Sequence, residues 1–281
     1  MDFKFYDSRS NCLFSDFGCT SVGFAGTSDD EKEKCFSDAP KGLLICGTYE
    51  ECIRQIPDEK FNVGIVLTGN CGNENEFVNT LSHKLNIPLV GGGAAINEET
   101  GEKALLTGRG QAALYLINDD AYEYSILCEN IHHDILGSHK LSFTNPRILN
   151  TIDNVDAAKW LQNKKLEMGI SPDDFEHITF SDMDGFNVHL SVKDGKVHSG
   201  ADLSPEMQLR YVAPDKVNER IQNFYNDTDS IVFGCAGLKG ILSDKVKTSG
   251  LGLFLYGEIC TSGEKSEFSN LMLSKLRIKR K

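Results

Sequence analysis

The sequence lacks the features that mark membrane, secreted and nucleic-acid-binding proteins. No apolar stretch approaches the roughly 20 residues that are needed to span a bilayer. The N-terminal residues, MDFKFYDSRS, contain no basic region followed by an apolar run, so no signal peptide is expected. Basic residues are few, with 29 lysines and arginines against 41 acidic residues, whereas a nucleic-acid-binding surface needs a basic excess. We therefore expect a soluble, cytoplasmic protein with no membrane span and no nucleic-acid partner.

The nine cysteines lack the spacings of a zinc site or of a secreted disulfide scaffold. No C-x-x-C pair is present, and the number of cysteines is odd. Several lie inside apolar runs such as LLIC and IVFGC, where a thiol behaves as a small buried hydrophobic group. The histidines offer one cluster, His132, His133 and His139, but adjacent strand residues point to opposite faces and share a metal poorly. We expect a reduced protein that holds no metal.

Motifs for nucleotide cofactors and for common hydrolases are also missing. The chain contains neither a G-x-S-x-G sequence nor an H-E-x-x-H sequence. Gly91-Gly92-Gly93 lacks the G-x-G-x-x-G spacing, and the next residues, AAINEETGEK, are typical of a turn rather than of a helix that binds a phosphate. We therefore expect no cofactor.

The composition that is present is that of a folded protein, with 40% hydrophobic and 25% charged residues in a chain of 281. Phe61–Leu67 is a β-branched run, Phe77, Leu81 and Leu85 recur at helical spacing, and the apolar run IPLV follows. This order predicts a strand–helix–strand crossover with parallel strands.

Strand-like segments dominate the rest of the chain. Helices are expected at Tyr49–Ile56, Val155–Leu166 and Asp215–Tyr225, and strands at 43–46, Ala104–Thr107, Ala112–Ile117, Tyr122–Cys128, His177–Phe180, Phe186–Val192, Lys196–Ala201, Ser230–Cys235, Gly252–Cys260 and Phe268–Ile278. The expected fold class is α+β: two associated α/β modules with mixed sheets flanked by helices, for which a layered sandwich is one arrangement. We place the first module at residues 1–140 and the second at residues 141–281.

Three segments together resemble the FIST family. They are the run LYGEI at 255–259 with the later Phe268-Ser269-Asn270, the run IVFGCAG at 231–237, and the run IPLVGGG at 87–93. The resemblance spans residues 20–278 and is better in the last part of the chain than in the first. It implies that the first module is similar to the N-terminal half of a FIST domain and the second to its C-terminal half.

One position departs from the family pattern. The family usually follows Cys-x-Gly with an arginine, whereas this sequence has Leu238 and then Lys239. Lys239 can supply a positive charge but not the planar, two-pronged donor of an arginine. The resemblance implies a ligand-sensing module, used alone or with a signalling protein partner, whose ligands are small molecules such as amino acids.

Glu258 is the leading candidate for a ligand-binding residue. If Gly252–Cys260 is one strand, alternation places Phe254, Tyr256 and Glu258 on the same face. A carboxylate beside aromatic rings suits a pocket acid that receives a ligand ammonium, or a general acid with a raised pKa. An internal salt bridge and an exposed strand end are the alternatives.

Three further groups complete the candidate site. Cys235 ends an apolar strand, where sites often lie, and a ligand-lining or structural thiol is favoured over a nucleophile because no histidine is near it in sequence. The glycines 91–93 let a ligand approach the main chain, although a tight strand exit is the alternative. Arg109, between two glycines, is a candidate anion donor or a solvated turn residue.

We therefore predict a sensory, signal-transduction module that binds a small molecule without catalysis. Its pocket is expected where the two halves meet, with a lining of Gly91, Gly92, Gly93, Arg109, Cys235, Lys239, Tyr256, Glu258 and Asn270. The alternative is a cysteine- or glutamate-dependent enzyme, a hydrolase or transferase, that acts on a small metabolite. A third hypothesis is an interaction scaffold that uses the basic residues 275–281, which are otherwise expected to form a frayed, solvated end.

Overall fold

A computed structural model of the chain describes most of residues 40–281 and three short strands before them. The described residues are 4–5, 13–16, 22–25, 40–69, 72–93, 112–171, 174, 177–225, 230–235, 237–238, 251–255 and 257–281. In these residues helices and mixed sheets occur together, which confirms the predicted α+β class. No helix among them is long and apolar enough to cross a membrane.

The secondary structure elements are numbered in chain order. The helices are α1 (Tyr49–Gln55), α2 (Glu74–Leu85), α3 (Ala157–Glu167) and α4 (Pro214–Tyr225). The strands are β1 (Lys4–Phe5), β2 (Leu13–Asp16), β3 (Val22–Ala25), β4 (Gly42–Gly47), β5 (Val63–Thr68), β6 (Leu89–Gly93), β7 (Ala112–Ile117), β8 (Tyr122–Asn130), β9 (Asp134–Asn145), β10 (Ile148–Ile152), β11 (Val155–Asp156), β12 (Ile178–Ser181), β13 (Asn187–Val188), β14 (Leu190–Lys193), β15 (Lys196–Ser199), β16 (Glu206–Tyr211), β17 (Ser230–Cys235), β18 (Leu251–Leu255), β19 (Glu258–Ser262), β20 (Lys265–Ser269) and β21 (Met272–Arg280). Strands β1–β3 form a small antiparallel sheet.

A six-stranded sheet, in the order β20-β19-β6-β5-β7-β4, carries the predicted crossover. Strands β5 and β6 are parallel, as predicted, and α2 connects them. Every residue of β5 is buried, as expected for a strand that is covered on both faces. Helix α2 buries Phe77, Val78 and Leu81 in the core below the sheet and ends at Asn86, whose left-handed conformation closes the last turn.

A four-stranded sheet, in the order β18-β17-β21-β8, stacks on the other face of the six-stranded sheet. In the core between the two sheets, Ile65 and Leu67 of β5 pack with Ile231, Phe233 and Leu276 of the facing strands. Helix α4 packs on the far side of the four-stranded sheet through a second core that includes Val217, Ile221, Val232 and Leu273. The result is a set of layers in which β5 and β17 are central.

The third large sheet has eight antiparallel strands and contains most of residues 134–211. Its order is β13-β12-β16-β9-β10-β15-β14, with β11 attached to β10. A hairpin at Lys193-Asp194-Gly195 joins β14 to β15, and both Asp194 and Gly195 have positive φ, as a tight hairpin turn requires. Helix α3 packs on this sheet with Ala157 and Leu161 buried.

Two of the sheets contain strands from both sides of residue 140. Strand β19 pairs with β6, and β21 pairs with β8 over nine residue pairs. The division into modules 1–140 and 141–281 stays a prediction from sequence. In the described residues the two segments share hydrogen-bonded sheets.

Two predicted strands are each broken in the structure. Gly252–Cys260 was expected to be one strand, but β18 and β19 lie in different sheets, because the chain turns at Gly257 with φ +87°. A side chain at Gly257 would overlap the ring of Phe268. Phe268–Ile278 is likewise divided into β20 and β21 by Leu271, which has φ +53°. The predicted strand Ala104–Thr107 lies outside the described residues.

The cysteine prediction is wrong at one pair. Cys128 in β8 is bonded to Cys260 in β19, with their Cα atoms 6.0 Å apart and a sequence separation of 132 residues. This disulfide joins the two stacked sheets. In the chain-entropy model, closing so long a loop stabilises the fold by about 4 to 5 kcal/mol. Among the described cysteines, Cys52 and Cys235 are buried free thiols.

The basic C-terminal residues do not form a frayed end. Residues 275–280 belong to β21, and the Lys281 N–H donates to the Ala121 carbonyl oxygen at 3.0 Å. Lys275 also lies over the ring of Phe224 in α4, with 4.7 Å from its Nζ to the ring centroid. The positive charge is therefore part of an ordered strand.

Gly91→Ala is predicted to destabilise the fold strongly. Gly91 has φ +140°, and a Cβ at this position would overlap the Val66 carbonyl oxygen in β5. Backbone strain and overpacking together should lower the free energy of unfolding by about 3 to 5 kcal/mol. Gly195→Ala is the control, because Gly195 also has positive φ but has open space around it, and its cost should be about 1 kcal/mol. Urea denaturation measures both, and equal losses would contradict the prediction.

Candidate functional site

The carboxyl ends of two parallel strand pairs meet at one place. Strand pair β5 and β6 ends at Thr68 and Gly93, and pair β17 and β18 ends at Cys235 and Leu255. A Cβ on Gly92 would overlap the Gly257 carbonyl oxygen, directly after β18, and the Gly93 N–H donates to that oxygen at 3.0 Å. Such convergence of strand ends is where α/β proteins commonly place ligand sites. We call this place the strand-end site.

Glu258 lies in the strand-end site at the first position of β19, opposite Gly92 of β6. Its side chain is fully buried, and neither carboxyl oxygen has a hydrogen-bond partner among the residues that the structure describes. The Cys235 thiol and the Met272 backbone N–H are its polar neighbours, but they do not complete a hydrogen bond to it. Burial raises the pKa of the Glu258 carboxyl well above its usual range, so the carboxyl is held in its neutral form.

Cys235 lies beside Glu258 at the end of β17 and is 4% exposed. Burial raises the pKa of its thiol well above the ordinary value, and the neighbouring Glu258 carboxyl acts in the same direction. The backbone N–H groups of Leu271 and Gly237 act weakly against this. The sulfur is therefore a protonated thiol, not the thiolate that a nucleophile requires.

His189 approaches the same region but does not activate the thiol. A Cβ on Gly237 would stand 3.6 Å from both the Cys235 sulfur and a His189 ring carbon, so both side chains flank this glycine. Burial lowers the pKa of His189, and the Lys165 ammonium acts in the same direction. A neutral imidazole and a protonated thiol do not make a thiolate–imidazolium pair.

Asn270 ties the strand-end site to the eight-stranded sheet. Its side-chain Oδ1 accepts a hydrogen bond from the His189 N–H at 3.1 Å, and its own N–H donates to the Asn187 carbonyl oxygen at 2.9 Å. The next residue, Leu271, is the left-handed corner whose N–H faces Cys235. Asn270 therefore holds the corner in place, and its Oδ1 is already occupied.

Sequence reasoning missed Ser269. This residue lies opposite Glu258 in the β19–β20 pair, so the two side chains share one face of the sheet. The Ser269 hydroxyl is fully buried and has no hydrogen-bond partner. Thr68 also has a buried, unpartnered hydroxyl, but it pairs with Gly93 in the next row and therefore lies on the opposite face. The signal in the sequence was the run Phe268-Ser269-Asn270, which had been considered only for its asparagine.

The structure brings together most of the predicted site residues that it describes. Gly91, Gly92, Gly93, Cys235 and Glu258 lie around the strand ends, and Asn270 adjoins them through Leu271. Arg109, Lys239 and Tyr256 lie outside the described residues. The expectation that Phe254, Tyr256 and Glu258 share a face assumed one continuous strand, whereas β18 ends at Leu255 and β19 begins at Glu258 in a different sheet.

Metal binding finds no support in the described ranges. Among those residues, no group of three or more histidine, cysteine, aspartate or glutamate side chains could hold a metal ion. His132 and His139 have different partners. The His132 ring contacts the Asn187 side chain, whereas the His139 ring is hydrogen-bonded to the Asp153 carboxylate at 2.7 Å.

A concave region with about 160 Å³ of space lies between α2, β20 and the eight-stranded sheet. Its charged groups are already paired: Lys265 contacts Asp184 at 2.8 Å and Glu267 at 2.6 Å. Asp202 accepts from Arg147 at 2.9 Å, and Arg147 also reaches the buried Glu74 at 2.8 Å. We read this network as structural, because its ion pairs connect α2 and β20 to the eight-stranded sheet.

Comparisons with models of protein families and with curated protein sequences find no match for the chain. The resemblance to the FIST family therefore rests on the sequence segments alone. Parts of all three segments, around Gly92, Cys235 and Glu258, lie at the strand-end site.

The difference in free energy of unfolding between Glu258→Gln and the wild type is predicted to shift in favour of the variant as the pH rises from acid to neutral. Because the folded pKa of Glu258 is raised, the folded state holds a proton that the unfolded state loses as pH rises above its ordinary pKa. Wild-type stability therefore falls with pH through this window, by about 1.4 kcal/mol for each unit of pKa difference. Glutamine removes this loss.

Urea denaturation between about pH 4 and about pH 8 measures the effect as the difference between variant and wild type. Glu264→Gln, at an exposed turn position, is the matched control and should show a small, flat difference. A difference for Glu258→Gln that does not change with pH would show that the carboxyl is not held neutral.

Proposed function

We propose that the chain is a FIST-like sensory module that binds a small molecule at the strand-end site without catalysis. The ligand class is an amino acid or a related metabolite. The observation that carries the proposal is the Glu258 carboxyl, which is fully buried, without a hydrogen-bond partner, and located where the carboxyl ends of β5, β6, β17 and β18 meet.

An unpartnered buried carboxyl is costly to a fold. Leaving a buried polar group unpaired costs about 1 to 3 kcal/mol, and more if the group is charged. A leucine or methionine at position 258 would avoid this cost between two apolar layers. Groups that break local stability rules in this way cluster at functional sites, which supports a ligand as the missing partner.

The backbone around Glu258 also suits a ligand. Gly93 carries no side chain that would separate a ligand from the main chain. The space beside Gly91 and Gly92 is instead taken by the carbonyl oxygens of Val66 and Gly257. The connections that leave these strand ends include residues 94–111, 239–250 and 256, which lie outside the described residues. Arg109, Lys239 and Tyr256 belong to them and remain the residues that we propose for an anion contact and an apolar wall. The signalling partner and a cytoplasmic location are likewise proposals.

A thermal-shift screen of amino acids and small metabolites, followed by calorimetry, tests the proposed function. At least one compound should raise the melting temperature of the wild type, and Glu258→Gln should weaken its binding at least tenfold, because a charge-assisted hydrogen bond is worth about 1.5 kcal/mol or more. The exposed Glu264→Gln variant should bind as the wild type does. No stabilising compound in the screen, or an affinity that Glu258→Gln leaves unchanged, would refute the assignment.

The second candidate, an enzyme that uses Cys235 as a nucleophile, follows from the position of this thiol at a strand end beside Glu258. The buried, protonated state of the thiol argues against it. We expect Cys235 in the folded chain to react with iodoacetamide at least tenfold more slowly than free cysteine, because the thiolate is the reactive form. Peptide mapping by mass spectrometry measures the rate, with the partly exposed Cys46 as an internal control. A Cys235 that reacts faster than free cysteine would favour the enzyme.

A further inference from the structure

Glu258 and Ser269 form a pair of unsatisfied acceptors on one face of the six-stranded sheet. They are direct partners in the antiparallel β19–β20 pair, a position that brings side chains within about 5 Å of each other at Cβ. Both side chains are fully buried, and the structure gives no hydrogen-bond partner to either Glu258 oxygen or to the Ser269 hydroxyl. Three oxygen atoms that can accept hydrogen bonds therefore lie on one face of the sheet without a hydrogen-bond partner among the described residues.

A primary ammonium group matches this arrangement. It carries three N–H donors and one positive charge, whereas a quaternary ammonium group carries the charge without donors. Three acceptors could each take one N–H, and the carboxylate would balance the charge. A ligand with neither N–H nor O–H groups would leave all three oxygens unsatisfied.

The surroundings supply no competing counter-ion among the described residues. On β17 the neighbour is the Cys235 thiol, and on β21 it is the Met272 backbone N–H. On β6 the partner is Gly92, which has no side chain, and on β20 it is Ser269. The Cys235 thiol is thus the one titratable side chain of the described chain that acts on Glu258. An empty site leaves the carboxyl protonated, because burial without a cation disfavours its charge.

We propose that the two carboxyl oxygens of Glu258 and the hydroxyl oxygen of Ser269 form a subsite for a primary ammonium group, which displaces the carboxyl proton of Glu258 when it binds. The proton leaves to solvent, and the products are an ammonium–carboxylate ion pair in the site and one free proton. This inference rests on the proposed function and specifies the chemical group that the strand-end site recognises.

The first test compares probes that differ in N–H donors. Glycine, L-alanine and methylammonium are each paired with their N-trimethyl counterpart, which for glycine is betaine and for methylammonium is tetramethylammonium. Calorimetry with the full chain should detect binding of primary ammonium probes and at least tenfold weaker binding of the trimethylated ones. A trimethylated probe that binds as tightly as its partner, or no binding by any primary ammonium probe, would overturn the subsite.

The second test measures the released proton. Calorimetry in phosphate and in Tris, whose ionisation enthalpies differ, should report release of about one proton per ammonium probe bound at neutral pH. Affinity should rise by about tenfold for each pH unit in this range, because one proton is exchanged for the ligand. In Glu258→Gln both effects should vanish. An affinity in the wild type that does not change with pH would overturn the proton displacement.

Two further variants separate Ser269 from a general packing effect. Ser269→Ala should weaken ammonium binding roughly tenfold and keep the pH dependence, since the carboxyl remains. Thr68→Val is the matched control, because it also removes a buried, unpartnered hydroxyl but on the opposite face of the sheet, and its affinity should equal that of the wild type. Equal losses in the two variants, or none in Ser269→Ala, would remove Ser269 from the subsite.

The proposed function and this inference can fail separately. A stabilising compound without a primary ammonium group, whose binding depends on Glu258, would leave the strand-end site as a ligand site and overturn the ammonium subsite. A screen in which no compound binds would overturn both.

Discussion

The close contact between the corner at Gly257 and strand β6 is the constraint on which the rest of the site depends. At this corner the chain leaves the four-stranded sheet and enters the six-stranded sheet, and a left-handed residue without a side chain is needed beside the Phe268 ring. Its carbonyl oxygen accepts the Gly93 N–H and lies too close to Gly92 for any side chain there. Gly92 is therefore fixed by this backbone contact and Gly257 by the Phe268 ring, whether or not a ligand binds.

That contact also determines where the Glu258 carboxyl lies and that it is buried. The residue follows the corner directly, so its side chain is directed between two apolar sheets instead of towards water. Cys260, two residues later on the same face, is bonded to Cys128 in the opposite sheet. The first three residues of β19 thus combine a covalent link between the layers with a buried acid that has no hydrogen-bond partner among the described residues. The rigidity of such a position suits precise placement of one polar group.

Much of the architecture could be predicted from local patterns, and the site only in part. The crossover through α2 was predicted from a β-branched run, a helical repeat and the apolar run that follows, all of which are local. The break at Gly257 was not predicted, because LFLYGEIC reads as a continuous apolar strand and only its contact with Phe268 and β6 reveals the corner. Cys128 and Cys260 were interpreted as free, since a pairing over 132 residues leaves no trace in sequence spacing. The sequence pointed to Glu258, Cys235 and the glycines because their residue types are unusual in apolar surroundings. Ser269 is an ordinary strand residue, and only its pairing with Glu258 places it at the site.

The position of β21 in the four-stranded sheet has a consequence for biosynthesis. This strand lies between β17 and β8, and it is the neighbour to which β8 is hydrogen-bonded in the described sheet. A ribosome produces β8 long before β21, so the nascent chain carries an unpaired strand edge and an unpartnered Cys128 while the whole second half is being made. Pairings between distant segments also close slowly. The four-stranded sheet is therefore completed late in synthesis. A chaperone that shields strand edges would matter most while only the first half of the chain has emerged.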